Sequence, residues 1–206
     1  ELLEADAIGK ILSVRGEFSE YLPDWHPWEN YQDFYVSKRH TGACREIVPF
    51  ELTWLTNVFG GVDKVSCMRD KITALDADID DIYQLLLRFK SGLSCHLMVD
   101  VIARPAIRVF RVCGTEGTLE WDHGKNQISI FQASEGEWRT ESLDTGQVEK
   151  GYIHQEEPYV NEMADFLAAI QGQRPWPHPF SNDLEILNIL LAAEKSSDTG
   201  QAQMID

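Results

Sequence analysis

The middle of the chain is a succession of short segments with strand character, joined by links of hairpin length. Turn signals such as Lys90-Ser91-Gly92 and Gly124-Lys125-Asn126 separate these segments. Seven or eight strands in this order predict one large, mostly antiparallel sheet. The predicted strands run over Lys10 to Tyr21, Val62 to Ile72, Asp81 to Phe89, Leu93 to Ala103, Ala106 to Cys113, Thr118 to Trp121, Gln127 to Gln132 and Glu137 to Leu143.

Three amphipathic segments predict helices. The first has apolar residues at three- and four-residue steps from Ile47 and stops at Gly60-Gly61, as a helix C-terminus does. Because proline fits only the first turn of a helix, Pro49 predicts that this helix begins at residues 48–49 or is kinked there. Two further helices are predicted over Glu157 to Ile170 and over Asp183 to Ser196, the last with Asn182 as its N-cap.

Helices at the ends of a run of strands predict an α+β fold in which the helices cover one face of the sheet. The other face also needs cover, and the run from Ile107 to Val112 has apolar residues on both faces. We therefore expect a homodimer or tetramer that associates through this second face. Between two strands, Gly114-Thr115-Glu116-Gly117 lacks the spacing of a phosphate-binding loop and predicts a hairpin turn.

Composition limits the classes of function. A chain of 206 residues suits one domain, 1–206, and its net charge of −16 argues against nucleic acid or an anionic membrane as a partner. The four cysteines include no close pair, which is typical of reduced thiols in a cytoplasmic protein. The acidic run from Asp76 to Asp81 lacks the glycine and glutamate of a calcium loop and predicts a solvated turn. None of the six histidines, His154 among them, has a partner at metal-ligand spacing, so no metal site is expected.

The candidate site precedes and enters the first helix. Aromatic residues with a flat apolar face and a polar tip suit the C–H faces and hydroxyls of a sugar, although they would equally suit packing on the sheet edge. Neighbouring basic residues could hold an anionic group of a substrate or form ordinary ion pairs with Glu46, Glu51 or Asp33. The candidate binding residues are Trp25, His26, Trp28, Tyr31, Tyr35, Lys38, Arg39 and Arg45, with His40 as a further residue that could contact a sugar hydroxyl.

The segment from Gly42 to Gly60, together with Leu22-Pro23-Asp24-Trp25, resembles the C-terminal domain of the Gfo/Idh/MocA family of NAD(P)-dependent sugar and cyclitol oxidoreductases. Gly9-Lys10-Ile11, the run from Gly114 to Trp121 and Ser196-Ser197 are similar to that family as well. In such enzymes this helix carries an Asp, a His four residues later, then a Glu and, two further on, a second Asp. Those positions are Glu46, Phe50, Glu51 and Thr53 here.

The resemblance implies a fold of the dihydrodipicolinate-reductase type and a role in substrate binding and oligomerisation. The activity it implies is oxidation of a secondary alcohol of a sugar, sugar derivative or cyclitol. NAD or NADP would be held by an N-terminal Rossmann domain, which we expect to lie outside this chain, because no glycine-rich fingerprint is present. Glu46 would act as the base, since Phe50 cannot carry a proton. The alternative is a non-catalytic member of the family that serves as a binding or assembly module.

Overall fold

The structure of the protein is a computed structural model, which describes residues 2–3, 5–143 and 157–205. It has nine strands in one sheet, three α-helices and three short 3-10 turns. The strands are β1 (Ile11–Ser19), β2 (Val62–Asp70), β3 (Ile82–Phe89), β4 (Ser94–Asp100), β5 (Ile107–Gly114), β6 (Gly117–Asp122), β7 (Gln127–Gln132), β8 (Glu137–Ser142) and β9 (Gln203–Met204); the helices are α1 (Cys44–Phe59), α2 (Glu157–Ile170) and α3 (Phe180–Thr199).

The predicted α+β fold with a large, mostly antiparallel sheet is confirmed, with one exception in the pairing. The strand order is β8-β7-β6-β5-β1-β4-β3-β2-β9, so the first strand lies in the middle of the sheet. It pairs antiparallel with β5 and parallel with β4. A parallel pair requires a long crossover, and here the crossover contains the candidate site, α1 and the β2–β3 hairpin.

The main core lies between one face of the sheet and the helices α1 and α3. Alternate residues of β3 and β4 point inward and are fully buried, among them Leu85 and Leu97, and they meet Leu52 of α1 and Ile189 of α3. Toward β6 the same face is aromatic, where the Trp54 ring packs edge-on against Phe110. This inner face fixes α1, and with it the start of the helix that carries the candidate base.

Two predicted helix starts were wrong. α1 begins at Cys44 and continues through Pro49, although proline lacks the N–H that would bond to the carbonyl four residues earlier. The first turn is held instead by the N–H groups of Glu46 and Ile47, which both donate to the Ala43 carbonyl. α3 begins at Phe180 with Pro179 in the N-cap position rather than Asn182, because the fixed backbone of proline suits the start of a helix.

Helix α2 differs from the other two in its surroundings. Among the described residues its apolar side chains are exposed, and so is an apolar row on α3. Single exposed apolar residues are ordinary, but this number of them on two consecutive helices is typical of a contact surface. We call it the helical apolar surface; it consists of Tyr159, Val160, Met163, Phe166, Leu167, Ile170, Phe180, Leu184, Leu187 and Leu191.

Candidate active site

The loop between β1 and α1 carries most of the predicted site residues. It contains three 3-10 turns, Leu22–Asp24, Tyr31–Asp33 and Tyr35–Ser37. Its last part lies directly against the start of α1, because Gly42 has no side chain. A Cβ on Gly42 would be 2.3–2.4 Å from the backbone of Val36. Glycine at this position therefore allows the third turn to approach the helix.

The four predicted aromatic residues occupy two environments. Trp25 is half-buried, with its indole N–H donating to the Glu20 carbonyl at 3.0 Å, and Tyr31 is half-buried against the core. Trp28 and Tyr35 are exposed. Trp25 and Tyr31 are thus used in packing, while Trp28 and Tyr35 are open to a ligand.

His26 belongs to a small exposed stack. Its ring lies 5.4 Å from Trp28 and 5.5 Å from Phe34, and its Nδ1 is 3.3 Å from a carboxylate oxygen of Glu29. His40 is exposed, and its backbone carbonyl accepts a hydrogen bond from Arg45. The stack presents a flat surface of the kind that binds a sugar ring.

Glu46 and Tyr35 form the pair at the centre of the candidate site. The Tyr35 hydroxyl donates to Glu46 Oε1 at 2.8 Å. Partial burial and the neighbouring carboxylate raise the pKa of Tyr35 to about 12, so this phenol is neutral at ordinary pH. The other carboxylate oxygen, Oε2, is buried and has no hydrogen-bond partner among the described residues. Phe50, one helical turn further on, is 60% exposed and lies beside the pair.

The three predicted basic residues do not share one role in the structure. Lys38 is exposed, with no ion pair to another described residue. Arg39 pairs with Asp78 at 3.0 Å and with Asp80 at 2.5 Å. Arg45 donates to Glu194 of α3 at 2.7 Å. The carboxylates considered from the sequence are not their partners; the actual partners come from distant parts of the chain.

These arginines belong to an ion-pair network under the loop. Arg69 of β2 contacts Asp80 at 3.0 Å and Glu194 at 3.7 Å, and so connects the pairs formed by Arg39 and Arg45. Asp198 also pairs with Arg69, at 2.8 Å. No signal in the sequence identifies Arg69, Asp80 or Glu194 as parts of the site, because 149 residues separate Arg45 from Glu194. The network attaches the loop and the start of α1 to the body of the domain.

The acidic run before β3 is only in part the solvated turn that the sequence predicted, because Asp76 and Asp78 are exposed but Asp80 and Asp81 are not. Asp81 is fully buried and accepts hydrogen bonds from the N–H groups of Ile72 and Thr73. Asp80 is largely buried between its two arginines. The prediction failed for these two residues because Asp80 pairs with arginines from other parts of the chain and Asp81 accepts hydrogen bonds from backbone N–H groups.

The described residues contain neither a glycine-rich dinucleotide fingerprint nor a cluster of metal ligands. None of their strands leads through a glycine-rich turn directly into a helix, which is the geometry that cradles a pyrophosphate. No group of three or more His, Cys, Asp or Glu side chains in this part of the chain could hold a metal ion. His154 lies outside the described residues. In the described part of the chain, no helix is long and apolar enough to cross a membrane.

Comparison with known proteins settles the family. The sequence profile of the GFO/IDH/MocA C-terminal domain matches residues 1–120. The chain belongs to the Gfo/Idh/MocA family. The resemblance noted around Gly42 to Gly60 is thereby confirmed, and the glycine that packs on Val36 is part of that segment. No protein of curated function matches this chain in sequence.

Solved structures of Gfo/Idh/MocA oxidoreductases share the fold. Levoglucosan dehydrogenase in complex with NADH and levoglucosan superimposes with a TM-score of 0.82 at 19% identity, over 99% of this chain and 61% of that protein. An oxidoreductase domain protein from Kribbella flavida gives 0.81 at 18% identity, over 100% and 61%. An oxidoreductase from Agrobacterium radiobacter, in complex with NAD+, L-tartaric acid and magnesium, gives 0.82 at 15%, over 99% and 59%. This chain thus spans about three fifths of the length of these proteins.

Proposed function

We propose that this chain, 1–206, is the substrate-binding and oligomerisation domain of an NAD(P)-dependent oxidoreductase. Its substrate is a secondary alcohol of a sugar, sugar derivative or cyclitol. The observation that carries the proposal is the carboxylate of Glu46 at the start of α1, hydrogen-bonded to the exposed Tyr35. The nicotinamide cofactor would accept the hydride, and a domain outside the described residues would hold this cofactor. Glu46 receives the proton of the alcohol.

The other site residues have separate proposed roles. Trp28, Tyr35 and His26 contact the substrate, and Lys38 is free to bind an anionic group on it. Arg39 and Arg45 are oriented by the ion-pair network and shape the pocket from beneath.

The half-buried aromatics Trp25 and Tyr31 pack against the core and are proposed to support the substrate site from behind. The proposed compartment is the cytoplasm, since the described cysteines are all free thiols.

Turnover of the longer polypeptide that contains this chain tests the proposal. Reduction of NAD+ or NADP+ is followed with levoglucosan and a panel of sugars and cyclitols. Glu46→Gln should lower kcat by roughly 10²-fold or more, the usual scale for loss of a general acid or base. Glu135→Gln, in the β7–β8 turn, is the matched control and should leave turnover unchanged. Wild-type turnover in Glu46→Gln would remove this carboxylate from the mechanism.

A second candidate function rests on Phe50. Because a phenyl ring occupies the family's histidine position and is exposed, the domain could bind a sugar without catalysing its oxidation. The same experiment separates the two. A wild type that binds sugars but reduces neither cofactor with any of them would favour the binding module.

The proposal that a domain outside the described residues holds the cofactor can be tested on this chain alone. We propose that a Rossmann domain of the longer polypeptide covers the helical apolar surface. Calorimetric titration of this chain alone with NAD(H) or NADP(H) should then show no saturable binding at micromolar concentration. The chain alone should also bind the apolar dye anilinonaphthalene sulfonate, and the longer polypeptide should not. Tight cofactor binding by the chain alone would contradict this division of roles.

Homodimerisation, or tetramerisation, is proposed to use the face of the sheet opposite the helices. Leu86 of β3 is 60% exposed there, between Ser66 of β2 and His96 of β4. A specific interface buries at least about 1,000 Å² in total. Leu86→Glu should therefore yield a monomer in sedimentation analysis of this chain, whereas Val58→Glu, on α1 across the sheet, should not. A dimer that survives Leu86→Glu would exclude this face.

A further inference from the structure

The position that carries a histidine in the family holds a residue that cannot transfer a proton. Phe50 lies one turn beyond Glu46 on α1, and its ring is largely exposed. The Glu46 side chain is anchored on a fixed helix, so its carboxylate reaches only a short distance to accept a proton. The nearest hydroxyl to it in the structure is that of Tyr35, which comes from the preceding loop rather than from α1.

Three contacts hold Tyr35 in this position. Its backbone carbonyl accepts hydrogen bonds from the Lys38 N–H at 3.1 Å and from the Thr41 hydroxyl at 3.0 Å. Its ring packs edge-on against Phe34, 5.9 Å away. The close approach of Gly42 to the same turn leaves the loop little freedom to move away from the helix. Tyr35 is thus positioned toward Glu46 while 48% of its surface remains exposed.

The two oxygens of Glu46 differ in what can reach them. Oε2 has no accessible surface and no partner among the described residues, so a substrate hydroxyl cannot approach it. Oε1 is held by the Tyr35 hydroxyl. A phenol that donates its proton to a carboxylate still has a lone pair that accepts one. The described geometry therefore gives an alcohol access to Glu46 through the Tyr35 oxygen.

We propose that Tyr35 is a catalytic residue that relays the proton of the substrate hydroxyl to Glu46, replacing the histidine that Phe50 displaces. The inference rests on the proposed oxidoreductase function. The alcohol O–H bond breaks and its proton passes to the Tyr35 oxygen, while the Tyr35 proton passes to Glu46 Oε1. The relay leaves Tyr35 neutral and Glu46 protonated. The carbonyl product then requires a hydride acceptor of the nicotinamide class, which the described residues do not hold.

Kinetics of the longer polypeptide distinguish a relay from a structural contact. Tyr35→Phe should lower kcat by roughly 10²-fold, with a much smaller change in KM. The double variant Tyr35→Phe/Glu46→Gln should be no slower than either single variant, because the two residues act as one unit. Tyr21→Phe removes a phenol oxygen outside the site and should leave kcat unchanged. Unchanged kcat in Tyr35→Phe, with an active wild type, would overturn the relay and leave the proposed function standing.

A measurement on this chain alone needs no turnover. With tyrosines labelled with ¹³C at Cζ, Glu46→Gln should shift the Tyr35 signal and leave the Tyr21 signal unchanged. Added levoglucosan should shift the Tyr35 signal and leave the Tyr21 signal unchanged. A Tyr35 signal that responds to neither change overturns the inference.

The two kinds of failure remain separable. If the wild-type polypeptide reduces no cofactor but levoglucosan still shifts the Tyr35 signal, the oxidoreductase function is overturned and the contact between Tyr35 and the sugar is supported. If neither is observed, both proposals are overturned.

Discussion

Replacement of Gly42 by alanine should separate the loop that bears Tyr35 from the helix that bears Glu46. An alanine Cβ at this position would lie 2.3 Å from the Val36 Cα and 2.4 Å from its carbonyl carbon and oxygen. Carbon atoms in contact normally lie about 3.5–4.0 Å apart, so the two backbone segments must separate by roughly 1 Å. All three contacts are backbone atoms, and no change of side-chain rotamer can relieve them.

The expected loss in the free energy of unfolding follows from where these segments lie. Val36 is buried and Gly42 precedes Ala43, the N-cap residue of α1, so either the core contact of Val36 or the first turn of the helix must shift. Overpacking a well-packed site costs about 1–3 kcal/mol, occasionally more. We expect the upper end, about 3 kcal/mol. A displacement of that size would also lengthen the 2.8 Å hydrogen bond between Tyr35 and Glu46 beyond bonding distance.

Urea denaturation followed by circular dichroism gives the free energy of unfolding. Gly124→Ala is the control, because the nearest atom to its added Cβ is 3.5 Å away, an ordinary contact. That variant should lie within about 0.5 kcal/mol of the wild type. The ¹³C signal of Tyr35 should lose its dependence on Glu46 in Gly42→Ala. If Gly42→Ala were as stable as the control, the close approach of loop and helix would be refuted.

Two further predictions concern the ion-pair network and the thiols. Asp80→Ala leaves two arginines without their shared carboxylate, of which only 9% is exposed, and should lower the free energy of unfolding by about 3 kcal/mol. Asp78, whose side chain is 78% exposed, is the control, and Asp78→Ala should change the free energy of unfolding by less than about 1 kcal/mol. Equal losses in urea denaturation would contradict the network. Burial raises the pKa of Cys67 and of Cys95 to about 12, so their reactive thiolates form only as the pH rises toward that value. Brief treatment with iodoacetamide at pH 8 should therefore alkylate the partly exposed Cys113 first. Early modification of either buried thiol, seen by mass spectrometry, would contradict this.

Local patterns in the sequence were sufficient for the elements and for the class of fold. Runs with strand character, separated by turn signals, identified strands β1 to β8, and the turn at Gly114–Gly117 connects β5 and β6 as expected. Gly60 ends α1 with a positive φ of 87°, a backbone conformation that glycine adopts at little cost. Such features depend on neighbours within a few residues, and for that reason they can be inferred without a structure.

Only part of the candidate site could be inferred from the sequence in the same way. The motif around Gly42 pointed to Glu46, and the sequence alone singled out Tyr35 as one aromatic residue among several. That its hydroxyl contacts Glu46 depends on how closely the loop approaches α1. The partners of Arg39 and Arg45 were equally hidden, because sequence spacing does not specify ion pairs across a fold.

The sequence by itself determined strands β1 to β8, the existence of the three helices and the family, since each depends on local patterns or on a contiguous motif. The tertiary structure alone decided that β1 lies in the centre of the sheet and pairs in parallel with β4. It alone decided that Asp80 and Asp81 are buried and that Tyr35 meets Glu46. These features arise from tertiary packing, and the energies of the contacts depend on burial and geometry that no local pattern records.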